Sequence, residues 1–132
     1  MAKILVIAGG KRASEGMVLA LEEAGFDVIK ATDIAQGLVQ LAQSQPYLVI
    51  LNDTPPVTNA VEFCFQARQM SQVPIIVIGN GRGKLTSVRF LEMGADAYMT
   101  KPVNPVLLVA RVRSLLRRAL GLRRLPILRK KA

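Results

Sequence analysis

The run of five apolar residues from Tyr47 to Leu51 limits the fold more than any other stretch of this chain. It ends abruptly at Asn52 and Asp53, and a Thr-Pro-Pro sequence follows. An apolar run this short, closed by turn-forming residues, is typical of a strand buried on both faces, as in a parallel sheet. Ligands of open parallel sheets bind beyond the carboxyl ends of the strands. Asn52 and Asp53 therefore lie where a functional site is expected.

Four other short apolar runs alternate with stretches whose apolar residues have helical spacing. The predicted strands cover residues 3–8, 26–31, 47–51, 73–78 and 96–100. The last predicted helix begins near Pro105, continues to Leu120 and is stopped by Gly121. Five strands that alternate with five helices predict a single doubly wound α/β domain, with helices on both faces of a parallel sheet.

Helix boundaries are indicated by a few residues with known capping preferences. Ser14, Asp33 (or Thr32) and Asn59 are the predicted N-caps of the first three helices, because their side-chain oxygens can accept bonds from free backbone N–H groups. Gly25 fits the position just after the first helix, where a left-handed backbone is common.

The composition predicts one folded cytoplasmic domain with no cofactor and no bound metal. The chain has 132 residues, and 51% of them are hydrophobic. Its apolar runs are far shorter than the roughly 20 residues that a membrane helix needs, so no membrane contact is expected. Cys64 is the single cysteine, which excludes an intrachain disulfide and a cysteine-based metal cage, and we expect it to be a buried packing residue.

The positive charge is concentrated at the end of the chain. The net charge is +9, yet residues 1–110 hold as many acidic as basic side chains, and residues 111–132 hold nine Lys or Arg and no acid. We therefore divide the chain into a domain of residues 1–120 and a basic tail or linker of residues 121–132. The favoured interpretation of this tail is a linker toward a DNA-binding domain. Electrostatic contact with nucleic acid or anionic lipid and a disordered end are the alternatives.

Four segments in sequence order resemble the receiver domain of two-component response regulators. They are Pro46–Leu51, Val73–Ile78, Leu91–Pro102 (LEMGADAYMTKP) and Leu108–Arg118 (LVARVRSLLRR). The resemblance covers roughly residues 3–119, and the last two segments look most like receivers that precede winged-helix DNA-binding domains. It implies a flavodoxin-like fold with a sheet of strand order 2-1-3-4-5.

The residues that carry phosphorylation in this family are mostly replaced. The resemblance places Asn52 at the position of the phosphoacceptor Asp, Ala8 and Gly9 at the Mg²⁺-binding acids, and Gly79 at the Thr or Ser that ends the fourth strand. Only Lys101 keeps the family's residue type.

An amide is a poor nucleophile toward phosphorus, and Mg²⁺ usually requires one or two carboxylates. We therefore predict a non-enzymatic pseudo-receiver. It would act by protein contacts without phosphorylation, in signalling and transcription control, with DNA bound only through a part outside this chain.

Two alternatives keep a ligand at the strand ends. In the first alternative, Asp53 is the acceptor after a one-residue slip of its strand, although as the next residue it points to the opposite side. The loop Gly79–Lys84, with Gly81, Arg82, Gly83 and Lys84 before a helix N-terminus, is a candidate anion site. The second alternative would make the chain a small anion- or nucleotide-binding α/β protein. A loop without a ligand is the simpler interpretation.

The resemblance also assigns positions to an aromatic residue and to an interface. Tyr98 matches the switch aromatic whose rotamer changes on activation, and without a phosphoryl trigger we expect a fixed surface residue. Asp96 and Arg118 match a charged pair of receiver dimers, while Arg111 lacks its usual acidic partner. With Leu107, these residues predict a homodimer or a protein partner at the face formed by the fourth helix, fifth strand and fifth helix. An exposed helix is the alternative.

Overall fold

A computed structural model describes residues 2–10, 14–54, 59–81 and 86–131 of the chain. The strands are β1 (Lys3–Ile7), β2 (Asp27–Ala31), β3 (Leu48–Asn52), β4 (Ile75–Gly79) and β5 (Ala97–Thr100). The helices are α1 (Glu15–Glu23), α2 (Ile34–Ser44), α3 (Ala60–Arg68), α4 (Thr86–Glu92) and α5 (Pro105–Lys131). Every strand pairing is parallel, and the strand order is β2-β1-β3-β4-β5, so the predicted doubly wound α/β fold is confirmed.

Apart from Lys3 and Asn52, the residues of the three central strands (β1, β3 and β4) are apolar, because each face of these strands is covered by helices. Side chains alternate between the two faces of a strand. One face of the sheet, with Leu51 and Val77, packs with α2, α3 and α4 in a core centred on Phe63. The other face, with Ile50 and Ile76, packs with α1 and α5.

Helix starts follow the capping rules at two of the three predicted sites. The side chain of Asp33 accepts a bond from the backbone N–H of Gln36, and that of Asn59 accepts one from Glu62. Ser14 occupies the N-cap position of α1, but its side chain forms no capping bond. Gly25, which follows the C-cap residue Ala24, has a positive φ of 97°, as predicted for the C′ position of α1.

The prediction that Gly121 ends the last helix is wrong, because α5 continues to Lys131. A glycine inside a helix costs only about 1 kcal/mol relative to alanine, and the Leu and Arg residues around it are good helix formers. The division into a domain and a tail at residue 121 stays a prediction. No helix in the described part of the chain combines the length and apolar character that a membrane span requires.

Candidate functional site

The carboxyl ends of the parallel strands meet at one edge of the sheet, and Asn52 lies at the centre of that edge. It is the last residue of β3, pairs in register with Ile78 of β4 and is 4% exposed. Ala8 adjoins it, because it follows Ile7, the register partner of Leu51. Ala8 is buried and Gly9 is exposed. The edge thus presents an amide flanked by residues without polar side chains.

Lys101 brings a positive charge to this edge. It follows β5, where its backbone N–H donates to the carbonyl oxygen of Gly79 at 2.7 Å. Its ammonium group donates to the backbone carbonyl of Asp53 at 3.3 Å. Lys101 is half-buried, so this bond orients its charge toward the end of β3.

Asn52 and Lys101 are the two polar side chains that the described part of the chain contributes to the wall of a cavity of about 440 Å³. The remaining wall comes from α1 and from the segment that leads into α5, and consists of Gly16, Met17, Ile78, Pro102, Val103 and Pro105. A larger cavity of about 630 Å³ lies between α1 and β2, away from both polar groups. Within the described residues, no three His, Cys, Asp or Glu side chains are grouped closely enough to hold a metal ion.

The carboxylate of Asp53 is directed to the start of α3. Its Oδ1 accepts a hydrogen bond of 3.0 Å from the backbone N–H of Ala60, the first residue of that helix. A negative charge at a helix N-terminus is favourable because the free N–H groups there carry partial positive charge. Asp53 thus acts as a helix cap, and Asn52, one residue earlier in the strand, lines the cavity.

Tyr98 of β5 packs over Gly79 at the end of β4. The Tyr98 ring stacks on Phe90 with centroids 5.6 Å apart, and its hydroxyl oxygen accepts a 3.0 Å bond from the N–H of Gly81. A methyl group built on Gly79 would overlap the Tyr98 hydroxyl oxygen and lie 3.1 Å from Cζ. The absence of a side chain at Gly79 therefore creates the space that the Tyr98 ring occupies.

Tyr98 is expected to be a fixed surface residue, and its side chain is half-buried in this space. The reason is the combination of Gly79 with Phe90, which gives the ring a slot and a stacking partner. The sequence alone does not predict the contact. The sequence feature that could have indicated this contact is a glycine at the end of an otherwise apolar strand, together with an aromatic residue in the next strand.

The candidate anion loop is only partly described. Arg82, Gly83 and Lys84 lie outside the described residues, so this site stays a prediction. Gly81 is exposed, but its N–H already donates to Tyr98. One of the loop's potential anion donors is therefore used within the chain.

The dimer-face prediction for Asp96, Leu107, Arg111 and Arg118 stays a prediction, and within one chain Asp96 is bonded away from the other three residues. Asp96 forms an ion pair of 3.0 Å with Arg68 of α3 and accepts a 2.8 Å bond from the N–H of Ile75. Leu107, Arg111 and Arg118 are exposed on α5. Asp96 thus uses its carboxylate within its own chain, a contact that sequence reasoning missed because it joins residues 28 positions apart.

Cys64 is fully buried in α3, as predicted. Burial, more than the neighbouring charges, raises the pKa of its thiol to about 11. A thiol in this state is protonated and unreactive at neutral pH. Cys64 is therefore a packing residue of the core.

The family model that matches this chain is the response regulator receiver domain, over residues 4–113. The chain is 36% identical over 118 residues to the alkaline phosphatase synthesis transcriptional regulatory protein PhoP of Bacillus subtilis, covering 89% of this chain and 49% of PhoP. It is 36% identical over 116 residues to the DNA-binding response regulator MtrA of Mycolicibacterium smegmatis, covering 88% of this chain and 51% of MtrA. The chain thus spans about half the length of these relatives.

Solved structures with the same fold are also receivers. A two-component response regulator from Clostridium difficile superposes with a TM-score of 0.84 at 25% identity, covering 90% of this chain and 98% of that one. The BeF3-activated N-terminal receiver domain of RstA from Klebsiella pneumoniae gives a TM-score of 0.80 at 26% identity, covering 87% of this chain and 98% of that one.

Proposed function

This chain belongs to the family of response regulator receiver domains, and we propose that it is a pseudo-receiver, a member that signals without taking up a phosphoryl group. The observation that carries the proposal is the buried amide of Asn52 at the end of β3, where the family resemblance expects the phosphoacceptor Asp. Ala8, Gly9 and Gly79 stand at three further positions of the phosphorylation site.

The chemistry of these replacements supports the proposal. Phosphoryl transfer depends on positioned charges that stabilise the transferring group, usually with Mg²⁺ as the largest of them. Mg²⁺ is held by oxygen ligands that normally include carboxylates, and Ala8, Gly9 and Asn52 supply none. Among the residues that the structure describes, Lys101 is the one charged side chain in the wall of the cavity beside Asn52. A lone cation can attract a phosphate, but it supplies neither a nucleophile nor a metal ligand.

The position of Asp53 argues against its use as a substitute acceptor. Its Oδ1 accepts a bond from the N–H of Ala60, so its carboxylate is held at the start of α3. Asp53 would also have to turn to the side of the strand that Asn52 occupies, and a one-residue shift of β3 would move its buried residues to the wrong faces.

Receiver domains are generally non-enzymatic signalling modules, and the proposed role of this one is a protein contact that does not depend on phosphorylation. The face formed by α4, β5 and α5 is the proposed contact surface, for a partner protein or for a homodimer. PhoP and MtrA are regulators of transcription or DNA-binding proteins by name. We therefore propose a role in transcription control in the cytoplasm, with DNA contacted through another polypeptide or another part of a longer protein.

The proposal is tested by incubation with acetyl phosphate and Mg²⁺, followed by intact mass measurement. The expected result is no adduct of one phosphoryl group on this chain. The RstA receiver, which has been solved in a BeF3-activated form, serves as the positive control for the reagent. The Asp53→Ala variant is treated in parallel, as is the Asn52→Ala variant.

An adduct on the wild-type chain would overturn the pseudo-receiver proposal. If that adduct disappears in Asp53→Ala and persists in Asn52→Ala, the substitute acceptor is identified. If it persists in both variants, the phosphoryl group lies elsewhere and the sites of modification are found by peptide mapping.

A further inference from the structure

The outward surface of α5 combines exposed apolar side chains with unpaired positive charge. Val106 is 78% exposed and Leu107 is 55% exposed, although both are aliphatic. Arg113 and Arg117 follow Val106 at helical spacings of seven and eleven residues, so the three share one side of the helix. Arg111 and Arg118 follow Leu107 at spacings of four and eleven residues, so they share one side of the helix with it. We name these six residues the α5 outer face.

Between Leu108 and Leu116, the inward side of α5 packs in the core. Leu108, Val112, Leu115 and Leu116 are all buried against the sheet and α1. The apolar residues of the α5 outer face are therefore additional to those that hold the helix in place. Folding of the domain does not account for their exposure.

None of the four arginines forms an ion pair with another described residue. The nearest acid along the sequence, Asp96, pairs with Arg68, and no Asp or Glu follows it in the chain. Four like charges on one helix repel each other at close spacing, and this repulsion is relieved by an acidic counter-surface.

We propose that the α5 outer face docks an acidic protein segment whose apolar side chains cover Val106 and Leu107. The inference rests on the proposed protein-contact function and adds the chemistry of the partner. Positive and negative surfaces that face each other speed association and reject wrong partners, while buried apolar contacts supply most of the affinity.

Other occupants fit these observations less well. A symmetric dimer built from this face alone offers the arginines no acidic partner, because a two-fold interface uses the same patch on both copies and the six residues include no Asp or Glu. A membrane surface needs a free apolar side of the helix, and between Leu108 and Leu116 the apolar side of α5 is buried in the core. Nucleic acid satisfies the arginines but leaves Val106 and Leu107 uncovered, and the chain has no aromatic residue after Tyr98 to stack on a base.

The test uses a fluorescein-labelled helical peptide with Leu along one side and Glu on both flanks, titrated with the full chain at physiological ionic strength. A peptide of the same composition in scrambled order, a mixed-sequence DNA duplex and vesicles of phosphatidylserine and phosphatidylcholine are the comparison probes. We expect the amphipathic peptide to bind at least about tenfold more tightly than its scrambled form, because only the ordered peptide buries Val106 and Leu107. It should also bind more tightly than the duplex and the vesicles.

Variants of the α5 outer face separate charge from apolar contact. Arg113→Glu with Arg117→Glu is expected to weaken peptide binding at least about tenfold, and Val106→Ser several-fold. Lys30→Glu is the matched control for charge reversal, because Lys30 is exposed on β2, the edge strand at the other side of the sheet from β5. This variant should bind the peptide as tightly as the wild type does. Arg113→Gln with Arg117→Gln provides a milder variant if charge reversal disturbs the fold.

The proposal is overturned if the scrambled peptide binds equally well, or if the duplex or the vesicles bind more tightly. It is also overturned if Val106→Ser leaves peptide binding unchanged, or if sedimentation shows self-association that the Arg113 and Arg117 variants abolish. A phosphoryl adduct in the mass experiment would contradict the pseudo-receiver proposal. It would not change what the peptide-binding results say about the α5 outer face. The two failures are therefore distinguishable.

Discussion

The slot above Gly79 gives the sharpest quantitative prediction for this molecule, through the substitution Gly79→Ala. The added methyl group would overlap the hydroxyl oxygen of Tyr98 and lie 3.1 Å from Cζ and 3.2 Å from Cε1. The ring must then leave its stack on Phe90 and give up the bond from the N–H of Gly81. The backbone at Gly79 does not have a positive φ, so alanine adopts it without strain.

The expected change in the free energy of unfolding follows from these contacts. Loss of the aromatic stack costs about 0.5–1.5 kcal/mol. Loss of the hydrogen bond costs a further 0.5–1.5 kcal/mol, roughly. Alanine in place of glycine restricts the unfolded chain and returns about 0.4–1 kcal/mol. Gly79→Ala should therefore destabilise the domain by about 1.3 kcal/mol, the midpoint of a range of roughly 0–2.6 kcal/mol.

A double-mutant cycle in urea tests the reasoning. In the Tyr98→Ala background the slot is empty, so Gly79→Ala should become neutral or slightly stabilising. Gly16→Ala is the control, because a methyl group there meets no atom within 4 Å and helix propensity should stabilise α1 by up to about 1 kcal/mol. The proposed cause is refuted if Gly79→Ala is equally destabilising with and without the Tyr98 side chain.

A spectroscopic measurement follows the ring itself. The chain has two tyrosines and no tryptophan, so Tyr47→Phe leaves Tyr98 as the only tyrosine. Its near-ultraviolet circular dichroism should be strong in that background and should collapse when Gly79→Ala is added. An unchanged spectrum would mean that the ring keeps its place.

Further predictions concern the core and the helix ends. Because burial raises the pKa of the Cys64 thiol to about 11, the unfolded chain loses this proton at a lower pH than the folded one. The free energy of unfolding should thus fall as pH rises from the ordinary thiol range toward 11, and Cys64→Ala should remove that part of the slope in urea titrations. Arg68→Ala leaves the Asp96 carboxylate without its cation and should lower the free energy of unfolding by about 1–2 kcal/mol in the same assay, whereas equal stability would mean that the ion pair contributes nothing. Asp33→Ala should cost about 1 kcal/mol and Ser14→Ala less, since only Asp33 forms a capping bond; thermal melts with the reverse order would contradict this.

The sequence predicts the parts of the fold that depend on local rules. The strand order came from the family resemblance, and the buried strands from their continuous apolar character. The caps at Asp33 and Asn59 follow from bonds that span only three residues. The end of α5 was not predictable from Gly121, because a glycine weakens a helix without necessarily ending it.

Contacts between distant residues carry the details of the site that the sequence does not reveal. The direction of the Asp96 carboxylate depends on Arg68, which lies 28 residues away on another helix. The position of the Tyr98 ring depends on what Gly79 lacks, and an absent side chain leaves no periodic pattern to detect. The sequence identifies which residue types stand at the strand ends. The directions of their side chains depend on how the sheet and the helices pack.

The filled slot above Gly79 also bears on how such a protein can carry information. A switch needs two conformations of comparable free energy, and an input can shift their populations only by its different affinity for each. Here the Tyr98 ring has both a stacking partner and a hydrogen bond in one arrangement, with no competing side chain at Gly79 to displace it. A domain held in one arrangement can change its signalling output mainly through its concentration. Its control would therefore lie in synthesis and degradation.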